Sequence, residues 1–146
     1  MSALTDFAEN KIIDALLRGQ ALGAPATWYV ALFTSDPTDT GAAGTEVSGG
    51  SYARVTVAAA LANFAGTQSA GSTTASSGTG GATSNNAAIT FPAPTANWGS
   101  ITHFTLMDAA SGGNAWVHGA LTTPKTVNNG DPAPSFPAAA LALTLA

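Results

Sequence analysis

The clearest hydrophobic pattern lies between Trp98 and Leu121, WGSITHFTLMDAASGGNAWVHGAL. Its first half alternates, with Thr102, Phe104 and Leu106 on one side and Ile101, His103, Thr105 and Met107 on the other, a period of two that fits a strand and not a helix. Asp108, Ser111, Gly112, Gly113 and Asn114 supply a turn, because Gly and Asn tolerate the torsions of a reversing chain. Alternation resumes from Ala115 to Leu121 around Trp116 and Val117. The stretch reads as a β-hairpin with apolar residues on both faces, suited to the interior of a sheet.

The N-terminal segment follows a different period. Leu4, Phe7, Ala8, Ile12, Ala15 and Leu16 recur at helical spacing, widened by Ile13 and Leu17, and polar residues fill most other positions. Thr5 can cap this helix, Asp6 and Glu9 favour its first turn, and Arg18 followed by Gly19 ends it, which predicts an amphipathic helix over residues 4–18. Its apolar face serves either the domain's own core or a neighbouring subunit. Phe7, Ile12 and Leu16 are the candidate interaction residues.

Further strands follow from short β-branched and aromatic runs. Thr27 to Thr34 reads as a buried strand, ended by the turn-forming Ser35, Asp36, Pro37, Thr38 and Asp39. Tyr52 to Ala60 reads as another, with Arg54 inside it, a cation that must snorkel to solvent or pair with an acid. From residue 66 to 86 the chain turns to Gly, Ser, Thr, Ala and Asn without apolar periodicity, which predicts a long loop peripheral to the fold. Ala87 to Phe91 resumes a strand, and Leu141, Leu143 and Leu145 alternate in a closing one, although Ala and Leu leave a short helix open there. One helix and about six to eight strands joined by Gly, Pro and Asn turns predict a mainly β chain, a β-sandwich or jelly-roll-like single domain spanning residues 1–146 with one N-terminal amphipathic α-helix.

Composition narrows the function. Only 8% of the residues are charged, against about 25% in an average domain, which points to a chain that lies within an assembly. The four cations, Lys11, Arg18, Arg54 and Lys125, are scattered, so no basic patch forms for a nucleic-acid backbone or an anionic membrane. There is no Cys, hence no disulfide framework or thiolate metal site. MSALTDFAENK lacks the basic and apolar regions of a signal peptide, which places folding in the cytoplasm of the cell that makes the chain.

Catalytic signatures are scarce. His103 and His118 lie on opposite arms of the hairpin with Asp108 near, but neither a further carboxylate nor a local motif completes a ligand set, so no metal site is assigned. There is no Gly-x-Ser-x-Gly elbow, and the GTGG of residues 78–81 lacks the Lys of a phosphate loop. Asp36, Asp39, Glu46, Asp108 and Asp131 all sit in or beside turn-like sequence, which accounts for them without glycoside chemistry. Trp28, Tyr29, Tyr52, Trp98, Phe104 and Trp116 fall on or beside strands and read as core before sugar platform. No catalytic residue, cofactor or metal is therefore predicted.

The opening LTDFAENKIIDALLRG, the ATWYVALFTSDPTDTG strand and turn, the TEVSGGSYARV segment and the ITFPAPTANWGSITHFTLMDAASGGNAWVHGALTTPKTVNNGD block, in that order, resemble a group of small virion proteins of tailed bacteriophages. Such proteins are catalogued as tail-fibre proteins, and similar small β-proteins serve as capsid decoration or cement proteins. The resemblance implies a non-enzymatic structural protein of the virion. Because the chain has neither heptads nor the repeats of a fibre shaft, the expectation is capsid decoration or cement, binding the major capsid protein or other virion proteins and a second or third copy of itself. The alternative is a tail-fibre or tail-tip component; a carbohydrate-binding module or hydrolase is the rival from another class.

Overall fold

The computed structural model describes residues 2–145, so Met1 and Ala146, the ends of the expected 1–146 domain, lie outside the described residues. In chain order the elements are β1 (Ser2–Leu4), α1 (Asp6–Leu17), β2 (Thr27–Phe33), β3 (Val55–Ala58), β4 (Ala82–Ser84), β5 (Ile89–Thr90), β6 (Gly99–Met107), β7 (Ala115–Val127), β8 (Ser135–Phe136) and β9 (Ala142–Thr144). Five strands form one sheet in the order β1-β7-β6-β2-β3, and β4-β9 and β5-β8 form two short ladders. All pairings are antiparallel. The mainly β expectation with one helix near the N-terminus holds for the described residues.

The hairpin β6–β7 is the centre of the sheet, and Gly112 and Gly113 take φ of 58° and 75° in its turn. Its register departs from simple alternation twice. Leu106 faces Val117 and Met107 faces Ala115, so Trp116 is an extra residue on β7, and the bulge lets both Trp116 and Val117 join the same core. A second irregularity between Ile101 and His103 brings Ile101 to the side of Phe104, correcting the alternation that placed them apart. Strand β7 also runs on past Leu121, pairing Lys125 to Val127 with Ile101 to Gly99. Pro124 is tolerated there because it falls where the register breaks and needs no ladder donor.

Alternation along β2 divides two apolar layers. Val30 and Leu32 point to the main core with Phe104, Leu106 and Val117, while Ala31 and Phe33 point to a smaller cluster with Met107 and Ala115. The ladders cover the main layer: Ile89, Phe91, Phe136 and Leu141 pack on it, and Phe104 meets Phe136 edge-on with ring centroids 5.8 Å apart. Tyr52 stacks on Phe91 and meets the edge of Trp98, whose indole N–H is satisfied by the Gly50 carbonyl at 2.9 Å. Tyr52, Trp98 and Trp116 therefore work as core with their polar tips paired.

Residues 66–86 differ from the expected peripheral loop. Turns and bends continue to Gly81, but Ala82 to Ser84 then form β4, and Ser84 and Asn85 are buried. The sequence hides this because Asn85 does its work through its amide and not through apolar surface. Its side chain donates to the carbonyls of Ala87 and Pro137 and accepts the Leu141 N–H at 2.9 Å, tying the entry to β5 to the approach of β9. The outer part, 66–81, has its own organiser, since Gln68 bonds Ser72, Thr74 and the Ser77 N–H.

These two polar hubs should respond differently to truncation. Asn85→Ala orphans the buried Leu141 N–H and two carbonyls and is expected to cost about 3 kcal/mol in urea denaturation. Gln68→Ala, on an exposed loop, is expected to stay within about 0.5 kcal/mol of the parent. Equal losses in the two variants would contradict the division.

Candidate assembly surface

The N-terminal helix is fixed at its first turn. Thr5 accepts the Ala8 N–H, donates its hydroxyl to the Ala115 carbonyl and sends its own N–H to the Trp116 carbonyl, so one residue caps α1 and ties it to β7. Phe7 then meets the edge of Trp116 at 5.4 Å, Trp116 meets the edge of Trp28 at 5.6 Å, and Ala8 is fully buried beneath the helix. From that anchor the helical repeat dictates the rest. Ala8, Ile12 and Ala15 face the body, and Ile13, Leu16 and Leu17 face away, 51%, 75% and 81% exposed.

The three sequence candidates thus divide. Phe7 packs on Trp116, Ile12 lines a cavity beside the helix, and Leu16 stands in solvent. Phe7 and Leu16 are nine positions apart, roughly half a turn around the axis, so no single face carries both. The residues that sequence reasoning passed over are Ile13 and Leu17, assigned there to the width of the apolar stripe; the signal was present in the stripe's excess breadth.

Beside the helix lies a cavity of about 240 Å³ lined by Ile12, Leu22, Trp28, Trp116, Leu141 and Leu143 among others. It shares Trp28, Phe64, Thr83 and Leu143 with a more open groove of about 590 Å³ that runs to Leu61, Leu145 and the Gly66–Thr67 end of the long loop. No lining residue of either is charged. The exposed large apolar side chains among the described residues are Ile13, Leu16, Leu17, Leu22, Leu61 and Leu145, and all six lie on the outward side of α1 or line these hollows. This concentration makes that side of the chain the candidate interaction surface.

The polar groups elsewhere are occupied in holding the fold. Arg54 forms a two-pronged bond with Glu46 and donates to the carbonyls of Ala109 and Gly112, clasping the hairpin turn; the Glu46 bond, against the opposing effect of burial, raises its affinity for its proton. The Tyr52 hydroxyl donates to Glu46 and accepts the Leu32 N–H; burial, with the Glu46 charge beside it, pushes its ionisation well above the ordinary range. Asp108 is not with the histidines. Burial works against its charge, but bonds from the Asn114 side chain and backbone and from the Trp116 indole outweigh burial and hold it below the usual 3.8.

His103 and His118 do share the second face of the sheet, because Thr105 pairs with His118 and His103 lies two residues before it. What meets them is the turn after β2: Asp36 is 3.7 Å from His103 and 3.9 Å from His118, and Asp39 is 3.1 Å from His118. Among the described residues no group of three or more His, Asp or Glu side chains is placed to hold a metal ion. Asp36 also accepts the Thr38 N–H and Asp131 the Asn128 N–H, the turn duties the sequence assigned to them. No helix among the described residues is long and apolar enough to cross a membrane.

Residues 3–144 match a protein-family model described as "Podophage GP4 fiber I protein gp80". No curated protein matches the chain.

The bonds around Asp108 predict a pH dependence of fixed sign. A carboxyl held low in the fold adds stability above its unfolded value, and that contribution disappears as pH falls through the folded value. Asp108→Ala is therefore expected to be less stable than the parent at pH 7, with the gap in thermal midpoint narrowing below about pH 4. A gap of constant size across that range would contradict the assignment.

Proposed function

The chain belongs to the family of the podophage GP4 fibre I protein gp80, and from that membership we propose that it is a non-enzymatic building block of a phage tail fibre, joined to its neighbours by apolar contacts. The match over residues 3–144 carries this reading, since it makes the chain a phage virion structural protein throughout its folded body. The charge-free face beside α1 supports it physically, because it offers a neighbour buried area without the desolvation of ions.

The family description favours a fibre over capsid decoration or cement. Compactness and the absence of shaft repeats, which pointed to the capsid, do not oppose a fibre: compact bodies joined face to face also build extended assemblies. The polar side chains described above hold turns and strands together, which supports a structural role over glycan hydrolysis. Neighbouring virion proteins are the partners proposed, with assembly in the host cytoplasm.

Gold-labelled antibody against the chain, imaged on intact particles, is expected to mark the tail appendages. Attachment should survive washing at several hundred millimolar NaCl, where the Debye length falls to about 4–5 Å or less and attraction between exposed charges is screened. Label on the head shell would overturn the fibre reading in favour of decoration, and release by salt would overturn apolar attachment.

A further inference from the structure

The turn after β2 is a strap laid on the second face of the sheet. Pro37 is fully buried, and Gly41 lies so close to β7 that a Cβ there would stand 2.6 Å from the Ala115 Cβ. Between them Thr38 holds φ at 57°, a left-handed conformation that a β-branched residue adopts only at a cost. The closed strap carries a second cost. Thr105, in register with His118 and two residues from His103, is fully buried, and its hydroxyl has no hydrogen-bond partner.

Two imidazoles meet the strap from below. Asp36 Oδ1 stands 3.7 Å from His103 Nε2 and 3.9 Å from His118 Nδ1, and Asp39 Oδ1 stands 3.1 Å from His118 Nε2, so the His118 ring lies between the two carboxylates. Among the described residues no Lys or Arg comes within 4 Å of either aspartate. The neighbouring strands bring no charge: Ala3 of β1 pairs with His118, Phe33 of β2 pairs with His103, and the Thr102 hydroxyl bonds His103 Nδ1. Glu46, bridged to Phe33, is committed to Arg54 and Tyr52, and α1 brings Asp6, whose N–H donates to the Asp39 carbonyl at 2.8 Å. A neutral imidazole has one N–H and serves one aspartate; only the protonated ring turns an N–H toward both and answers their charge. The His103 and His118 side chains are 19% and 15% exposed, so a proton reaches them from solvent.

We propose that the segment from Asp36 to Gly41 is a proton-operated strap: protonation of His118, supported by His103, closes it on the sheet, and loss of that proton frees it to lift. Lifting relieves Thr38 and opens the Thr105 hydroxyl to water. Those gains are comparable in size to the charge-assisted hydrogen bonds of the protonated ring, so the two states lie close enough for a proton to choose between them. Imidazole is the side chain that changes charge between pH 5 and 8. Because the closed strap binds the proton, closure strengthens as pH falls through that window and weakens as pH rises. Helix α1 stays in place throughout, held to β7 by Thr5.

Amide hydrogen exchange of the full chain by NMR at pH 5.5 and pH 8, corrected for the pH dependence of the chemical step, tests it. The Asp6 N–H reports on the strap through the Asp39 carbonyl, and the Trp98 N–H, bonded to the Val127 carbonyl at the open end of the hairpin, is the reference. Protection of Asp6 is expected to be about tenfold greater at pH 5.5 than at pH 8, with Trp98 unchanged. His118→Gln, which keeps a donor but takes up no proton, is expected to abolish the difference, and Asp39→Asn, at an exposed side chain, to cut it to less than about threefold. Equal protection of Asp6 at both pH values in the parent overturns the proposal. So does a difference that persists in full in either variant, or one that Trp98 shares, which would report global stability. Should His118→Gln fail to fold, Asp39→Asn with native circular dichroism decides by itself.

Discussion

The contact between Phe7 and Trp116 fixes the relation of helix to sheet, and the exposed face of the molecule follows from it. Trp116 can reach Phe7 because the bulge opposite Leu106 and Met107 inserts it as an extra residue and turns its indole to the core side. With Thr5 bonded to the Ala115 and Trp116 main chain on the same strand, the first turn of α1 has no freedom to roll. The helical repeat then determines which side chains point out. Fully burying a Leu or Ile contributes about 1.5–3 kcal/mol, so leaving Ile13, Leu16 and Leu17 exposed forgoes stability that a neighbour can supply.

The low charge of the chain is visible in how its irregular segments are held. Where many domains fix loops with surface ion pairs of small value, this one uses amides and hydroxyls: Asn85 joins β4, β5 and the approach to β9, Gln68 gathers its own loop, and Tyr52 bridges Glu46 to β2. Arg54 is the exception, and it too is spent inside, on Glu46 and two turn carbonyls. Polar side chains thus hold strands and turns together, and the lining of the two hollows beside α1 carries no charge. That division suits a subunit whose outer faces meet other subunits.

How much of this could be read from the sequence depended on whether local pattern or long-range pairing decided the outcome. The hairpin, the Thr5 cap and the turn residues were legible because each signal lies within a few positions of its effect. The bulge at Trp116 and the shift at Ile101 were not, since an inserted residue changes faces without changing composition. Likewise β4 was concealed in small polar residues, because its partner β9 lies at the far end of the chain and Asn85 stabilises through hydrogen bonds. The turn carbonyls that Arg54 clasps are 55 and 58 positions away, beyond any local signal. At the assembly surface, helical periodicity showed an apolar stripe too wide for one contact but could not show which part the sheet would cover.

The docking of α1 on its own sheet is tested most directly by the unfolding free energy of Phe7→Ala in urea, measured at a concentration low enough to exclude self-association. Phe7 is partly buried against the core, so the loss should be about 2–3 kcal/mol, below the range for a fully buried Phe. An unchanged free energy, with the helix signal retained, would contradict docking of α1 through Trp116 and release its inner face as the surface a partner covers.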